Sequence, residues 1–501
     1  MIFPKPSAER RSASHVCTTV ILTLLTILPG CRIPDLLRAD RGKSVPETFN
    51  IQQEEEFTWD SSANVEFHEF FNDPMLTSLI DQALVDNQEL KMLAQDIQIA
   101  SNKAYGRSGA YLPFFFFGGG AGVDKPGSYT RAGAVEENLT ARGKSFHEPL
   151  PDFLVAANVS WELDIWGKLR DAQTAACLRY LGTKEGRNYV VTRLVAEIAE
   201  NYYELMALDN RLATLDKTIE LQLQSLEVAK AKKEAGKGTE LAVQRFQAEV
   251  RKNQSEKLII AQDIVETENR INFLAGRYPQ PVDRATAEFI DLELHALSAG
   301  VPSQLMQNRA DIRQAERELQ AAGLEVDVAR AEFYPSLIID AGVGYNAFNA
   351  KYLFSTPESL VYNIAGDLVA PVINRRAIEA NYCNANAEQI QAVYNYQRTV
   401  LNAFTEVINR MSKVENYRNS LAIKREQLTA LEASVDVATK LFQNARAEYV
   451  EVLLAQRDLQ EAKMVIIETK QQQLAATVNA YQALGGGLLS YGNSMVVADA
   501  P

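Results

Sequence analysis

Four cysteines and a few histidines are the residues of this 501-residue chain best suited to covalent or metal chemistry, and their spacing narrows what that chemistry is. Cys31 follows an apolar run directly, where a thiol is exposed to modification once the preceding segment is cut away. Cys17 lies inside that segment. Cys177 and Cys383 remain, either paired as a disulfide in an oxidising compartment or packed as free thiols. Four cysteines are too few for a disulfide scaffold. Beyond the N-terminal segment the histidines are His68, His147 and His295, and no two have the four-residue helical spacing of a zinc site. No Gly-x-Ser-x-Gly elbow and no Gly-x-x-x-x-Gly-Lys-Ser/Thr phosphate loop is present. Gly118 to Gly120 follow an apolar stretch but lack the helix start that a phosphate cradle needs. Carboxylates abound, yet no motif pairs them. The sequence therefore points away from an enzyme and calls for no cofactor and no metal. Its formal net charge of -13 also disfavours nucleic acid as a partner.

The N-terminus sets the compartment. Lys5, Arg10 and Arg11 precede the apolar run Thr18 to Leu28, which is too short to span a bilayer and fits a secretory signal. Its end, Leu28-Pro29-Gly30-Cys31, resembles the bacterial lipobox, in which cleavage precedes the cysteine and the cysteine is then acylated. Leu28, Gly30 and Cys31 match, and Pro29 is an unusual occupant. Arg32 stands where an aspartate would retain such a lipoprotein at the inner membrane, which favours the outer membrane. Residues 1–30 are thus expected to be a signal peptide, and 31–65 a lipidated, extended segment. No later run is long and apolar enough for a transmembrane helix, so any membrane crossing must be made by strands.

The elements that would carry such strands come twice. Residues 66–278 and 302–487 each show a helix, a proline-started strand, a second strand, a very long helix, a break and a return helix, with 279–301 as a linker and 488–501 as a tail. Tyr111-Leu112-Pro113 leads into the first strand, and Phe333-Tyr334-Pro335 into its counterpart. A unit of this size is no solenoid repeat. From Lys168 to about Lys233 there is no proline. Leu194, Ile198, Tyr202, Leu205, Leu208, Leu212, Leu215 and Ile219 recur at spacings of three and four, the signature of a supercoiling helix. Gly236-Lys237-Gly238 breaks it, because glycine leaves the right-handed region cheaply, and Thr239 caps a return helix over 240–274. In the second half a helix over 375–442 turns near 442–447 and returns to Leu484.

Strands are expected near 112–124, 154–166, 335–346 and 359–370. Val159, Trp161, Leu163 and Ile165 alternate with Ser160, Glu162 and Asp164. Leu360, Tyr362, Ile364 and Leu368 alternate with Val361, Asn363, Ala365 and Asp367. A period of two over about ten residues fits a tilted membrane strand. Four strands cannot close a barrel, and an open edge in lipid would leave backbone groups unsatisfied. Three copies would give twelve strands and a pore. The expected fold is an α+β membrane protein: a β-barrel with four strands per protomer, continued by a long α-helical coiled-coil barrel, with an internal two-fold sequence repeat.

With these features in place, the chain resembles the TolC-like outer-membrane efflux proteins, in their lipoprotein branch. The resemblance rests on Phe71-Asn72-Asp73-Pro74-Met75-Leu76, Ser160-Trp161-Glu162-Leu163-Asp164-Ile165-Trp166-Gly167, Gly300-Val301-Pro302-Ser303, Asn308 to Glu316, Ala329 to Pro335, Ala403-Phe404-Thr405-Glu406-Val407 and Ala483 to Gly487. It implies a homotrimeric exit duct in the outer membrane that reaches into the periplasm, in contact with outer-membrane lipid. Its partners would be a periplasmic adaptor and an inner-membrane pump of the resistance-nodulation-division type. It also implies a periplasmic aperture. Leu454 takes the place of a carboxylate common in the family, and Glu451, with Glu448 as second choice, would supply the acidic ring. The two turns, Gly236, Lys237, Gly238 and Thr239 with Asn444 and Ala445, would meet the adaptor. Ala310 departs from a family proline. Two other readings share parts of this pattern: a duct for protein secretion driven by an ABC transporter, and a structural lipoprotein that spans the periplasm as a coiled-coil spacer.

Replacing Cys31→Ser is expected to abolish acyl labelling and to leave the signal uncleaved or cut elsewhere. Barrel insertion should persist, because strands supply more membrane affinity than one acyl chain. Metabolic palmitate labelling and intact mass check this, and unchanged values would refute the lipobox reading.

Overall fold

The computed structural model describes residues 33–40, 42–49, 61–136, 138, 140–141, 143–145, 149–285, 289–371, 374–444 and 446–487. The expected signal peptide, Cys31 and Ala445 lie outside them. In chain order the main elements are α1 (Pro74–Asp86), α2 (Gln88–Ser108), β1 (Phe114–Asp124), β2 (Leu150–Leu163), α3 (Lys168–Glu234), α4 (Glu240–Leu274), α5 (Ala310–Ala331), β3 (Ser336–Ala347), β4 (Leu360–Val369), α6 (Arg376–Gln443) and α7 (Tyr449–Leu484). Among the described residues no helix is long and apolar enough to cross a membrane. The chain folds as two compact units, and each draws on both sequence halves: one takes Ser101–Arg179 and Leu319–Val393, the other Arg41–Ala100, Tyr180–Glu318 and Tyr394 onward.

The first unit is built on an antiparallel sheet in the order β1-β2-β3-β4. Its register lines up Phe115, Val159, Ala341 and Ile364 in one row and Phe117, Ala157, Val343 and Tyr362 in the next. Trp161 pairs with Ile339 and Leu163 with Leu337 on that same face. The opposite face carries Ser160 beside Asp340, Asn158 beside Gly342 and Asn363, and Ile338 between Glu162 and Asp367. The two patterns read along separate strands thus merge into one apolar and one largely polar surface. On the apolar face Tyr362 and Ile364 are each 80% exposed, which no water-facing sheet would favour. Both edge strands, β1 and β4, are exposed along their whole length.

Both boundaries of one strand correct the sequence reading: β2 starts at Leu150, earlier than the expected 154, and ends early. β2 stops at Leu163, so Ile165 and Trp166 are not strand residues. The Asp164 carboxylate instead accepts the backbone N–H groups of Leu169 (3.0 Å) and Arg170 (3.1 Å), and Gly167 takes φ +77°. Together these turn the chain into α3. Trp166 donates its indole N–H to the Pro335 carbonyl at 2.8 Å. Cys177 is half-buried and Cys383 exposed, both as free thiols, so the packed environment expected for both holds only for Cys177.

In the second unit the regular apolar spacing on α3 becomes its core. Leu194, Ile198, Tyr202, Leu205, Leu208 and Leu215 are buried. Leu194, Ile198, Tyr202 and Leu205 pack with Phe67, Phe70, Phe71, Leu76 and Ile80, while Leu208 and Leu215 pack with Ile260, and Tyr481 of α7 stacks on Phe70 at 3.9 Å between centroids. Asp73 opens α1: its side chain accepts from the Met75 and Leu76 N–H groups, Pro74 fills the first helical position, and Tyr202 donates its hydroxyl to Asp73 at 3.0 Å. Arg309, only 4% exposed, ties three elements. It bonds Asp311 through two nitrogens, Glu406 at 3.0 Å and the Ala483 carbonyl at 2.7 Å.

Arg309→Ala strands both carboxylates and the carbonyl. The loss is expected to be roughly 2–3 kcal/mol, below that of a fully buried pair because Asp311 and Glu406 keep some water. The thermal midpoint in detergent should fall clearly. Asp436→Ala, which breaks an exposed pair with Lys440, should leave it within error.

Candidate functional site

The first helical turn is built from its glycines. Gly236 has φ +72°, a region costly for a residue with a Cβ. The Gly236 N–H bonds the Lys233 carbonyl (3.0 Å) and the Lys237 N–H bonds the Lys232 carbonyl (2.8 Å), so the last carbonyls of α3 are satisfied. At Gly238 a Cβ would lie 2.9 Å from the Lys233 backbone nitrogen. Thr239 then caps α4 by accepting the Ala242 N–H at 3.3 Å. Lys233 pairs with Glu240, whose carboxyl is held below its usual range by a hydrogen bond from Gln244 and by that lysine. The sequence alone supplied every part of this turn.

The second turn begins after α6 ends at Gln443, within the expected stretch. Asn444 donates both its backbone N–H (3.2 Å) and its side-chain amide (2.8 Å) to the Lys440 carbonyl, and the Arg446 N–H reaches the Leu441 carbonyl at 2.9 Å. Glu448 occupies the cap position of α7 in extended backbone without a side-chain cap bond. In the first turns of α7, Val452 is buried, while Tyr449 and Leu453 pack on a cluster of Leu226, Ala229, Val243 and Phe246. That burial leaves Glu448, Glu451 and Leu454 exposed, three residues apart on one stripe. No ion pair among the described residues engages Glu448 or Glu451. The three aperture candidates therefore share a face free of their own protomer.

The structure also shows contacts between the two hairpins that periodicity does not announce. The Lys232 ammonium sits 3.3 Å from the Phe442 ring centroid and donates to the Phe442 carbonyl at 3.2 Å, which joins the two turns. Farther along, Asn253, 1% exposed, donates to Gln222 (2.9 Å) and Gln460 (3.2 Å), and Gln460 donates back at 2.9 Å. A cavity of about 540 Å³ opens beside them, walled by Leu221, Val228, Phe246, Phe442, Val452 and Gln456. The only sequence signal for the amide cluster is the density of glutamine and asparagine on these helices, which reads equally well as a solvated surface.

A two-faced antiparallel sheet with open edges, in one chain with paired helical hairpins, defines the class of outer-membrane channel proteins. The chain belongs to the outer membrane efflux protein family, whose profile matches residues 79–277 and 301–486. It is 26% identical over 473 residues to the cation efflux system protein CusC of Escherichia coli K12, covering 94% of this chain and 99% of that one. It is 27% identical over 421 residues to the toluene efflux pump outer membrane protein TtgI of Pseudomonas putida, covering 84% of this chain and 87% of that protein. A crystal structure of CusC superposes with a TM-score of 0.79 at 24% identity, covering 91% of this chain and 99% of that one. The open-state MtrE outer membrane channel of Neisseria gonorrhoeae also gives 0.79, at 21% identity and with 91% and 98% coverage.

Proposed function

We propose that three copies of this chain close a twelve-stranded barrel in the outer membrane and form the passive exit duct of a tripartite efflux system. The observation that carries this reading is the sheet: one apolar face, one largely polar face, and two fully exposed edges with no partner among the described residues. In lipid those edges need strands from other copies. The family match over two stretches that correspond in order supports a duplicated chain, with the hairpins of both halves forming the periplasmic tunnel. Cys31 would carry the lipid anchor. A periplasmic adaptor would bind at the hairpin turns, and an inner-membrane pump would supply the cargo. Relatives named for cation efflux and for toluene efflux support small-molecule export over protein secretion. The two-faced sheet, which a periplasmic spacer would not need, counts against a purely structural lipoprotein.

At the periplasmic end, three-fold symmetry would bring three copies of Glu451 around one axis, with Glu448 and Leu454 on the same stripe. Like charges about 6 Å apart repel by roughly 0.7 kcal/mol per pair even in water, and by more when desolvated. Such a ring persists by holding cations or protons, so it favours cation passage. Adaptor contacts at the turns would shift the tips toward an open state only through a difference in binding between the two states.

Purified protein should run as three protomers by light scattering and conduct in planar bilayers. Glu451→Ala should leave the trimer intact while lowering cation selectivity and block by divalent cations. A monomer with full β-signal would refute the barrel. Unchanged selectivity and block would make Glu451 a plain surface residue and move the test to Glu448.

A further inference from the structure

β1 begins with Phe114-Phe115-Phe116-Phe117, and strand alternation sends these rings to opposite faces. Phe115 and Phe117 join the apolar rows with Val159 and Ala157. Phe114 and Phe116 stand on the polar face. Phe114 lies in the row of Ser160, Asp340 and Ala365, and Phe116 in the row of Asn158, Gly342 and Asn363. Their rings stack on each other at 6.0 Å and are 67% and 46% exposed, so they serve no core. Farther along β1 the same face bears only Gly118, Gly120 and Gly122 before Asp124. The bulk on this face of β1 is thus confined to two rings at the strand end next to α2. Asp367 lies on the same face and at the same end of the sheet, paired with Ile338 two rows before Asp340.

Rings exposed in the lone protomer, on a face that is otherwise largely serine, asparagine, aspartate and glycine with scattered aliphatics such as Ile338, are unfavourable in water unless something apolar meets them. Given the barrel reading above, that face is the lumen, and the α2 end is its helix-side mouth. We propose that Phe114 and Phe116 from three copies form an aromatic collar inside this mouth, and that with the nearby carboxylates it is a transit site for lipophilic or aromatic cations. The ring faces attract cations and apolar surface together, while Asp340 and Asp367 add negative charge. Glycines beyond the collar leave the lumen wall along β1 bare, so a cargo held there meets no further bulk from that strand.

The test uses the purified trimer in planar bilayers, with tetraphenylphosphonium and tetramethylammonium as probes. Wild-type current should be blocked by tetraphenylphosphonium at about tenfold lower concentration than by tetramethylammonium. Phe114→Ser with Phe116→Ser should erase most of that difference and raise single-channel conductance. Phe115→Ser with Phe117→Ser, on the apolar face, should leave the block unchanged. Should the first double variant fail to assemble, Phe116→Cys in a Cys177→Ser, Cys383→Ser background serves in its place, because both native thiols are free: a membrane-impermeant cationic methanethiosulfonate should lower its current stepwise, with no effect on that background alone. Unaltered tetraphenylphosphonium block in the first variant, loss of block in the second, or an inert Phe116→Cys would each overturn the collar while leaving the channel in place. Absence of any wild-type conductance would instead overturn the barrel reading, and the collar with it.

Discussion

Every backbone amide of a membrane strand must find a partner, and that requirement governs this protein. β2 and β3 satisfy theirs within the chain, each paired on both sides. β1 and β4 satisfy only one side each. Each unpaired group in hydrocarbon costs several kcal/mol, so two such edges are incompatible with a lone protomer in a bilayer. The apolar face adds a second constraint, because it demands lipid where the polar face demands water. Closure of the sheet on copies of itself, as proposed above, would meet both demands.

The long helices answer a different problem. α3 holds 67 residues and α6 holds 68, far more than one globular core can cover. Their apolar positions form a narrow stripe, and the remaining surface is rich in charged and amide side chains. Where the stripe meets Phe67, Phe70, Phe71 and Tyr481 it is fully buried; at Leu212 and Ile219 it is only half-buried. A helix of this kind is held by neighbours along its length rather than by its own propensity.

The parts of this architecture visible in the sequence are those fixed by local chemistry. The Lys168–Glu234 helix shows itself by its lack of proline and its three-four spacing, and its turn by Gly236, Gly238 and Thr239. The strands show themselves by alternation, because side-chain period and face are inseparable in a pleated sheet. What local pattern could not give is pairing at a distance. The end of β2 was misplaced because Ile165 and Trp166 continue the alternation, whereas the Asp164 carboxylate captures backbone N–H groups five and six residues on. The Asn253, Gln222 and Gln460 cluster spans 31 and 207 residues of sequence, and nothing about an isolated amide reveals its partner. Lys232 at Phe442 is hidden in the same way. Glu448, Glu451 and Leu454 were named from the family resemblance alone; their shared exposed stripe shows only once Val452 is seen buried and Leu453 partly buried.

The composition of the contacts also grades the stiffness of the second unit. Around Tyr202 and Tyr481 the packing is a large aromatic and aliphatic cluster, clamped by Arg309 and by the Asp73 hydrogen bond. Toward the turns the apolar clusters shrink to a few residues around Phe246 and Tyr449, amides join the contacts between helices, and a cavity of about 540 Å³ opens beside them. Apolar packing is lost only by opening the core to water, while amide pairs can exchange partners with water at small net cost. The turns are therefore the more lightly packed end of this unit. The glycines that shape the first turn and the lysine that bridges to the second lie where the helices are least constrained by packing. A gate at the tips, as proposed above, would need no hinge in the aromatic core, only the opening of the small Phe246 cluster and of the Lys232 contact with Phe442.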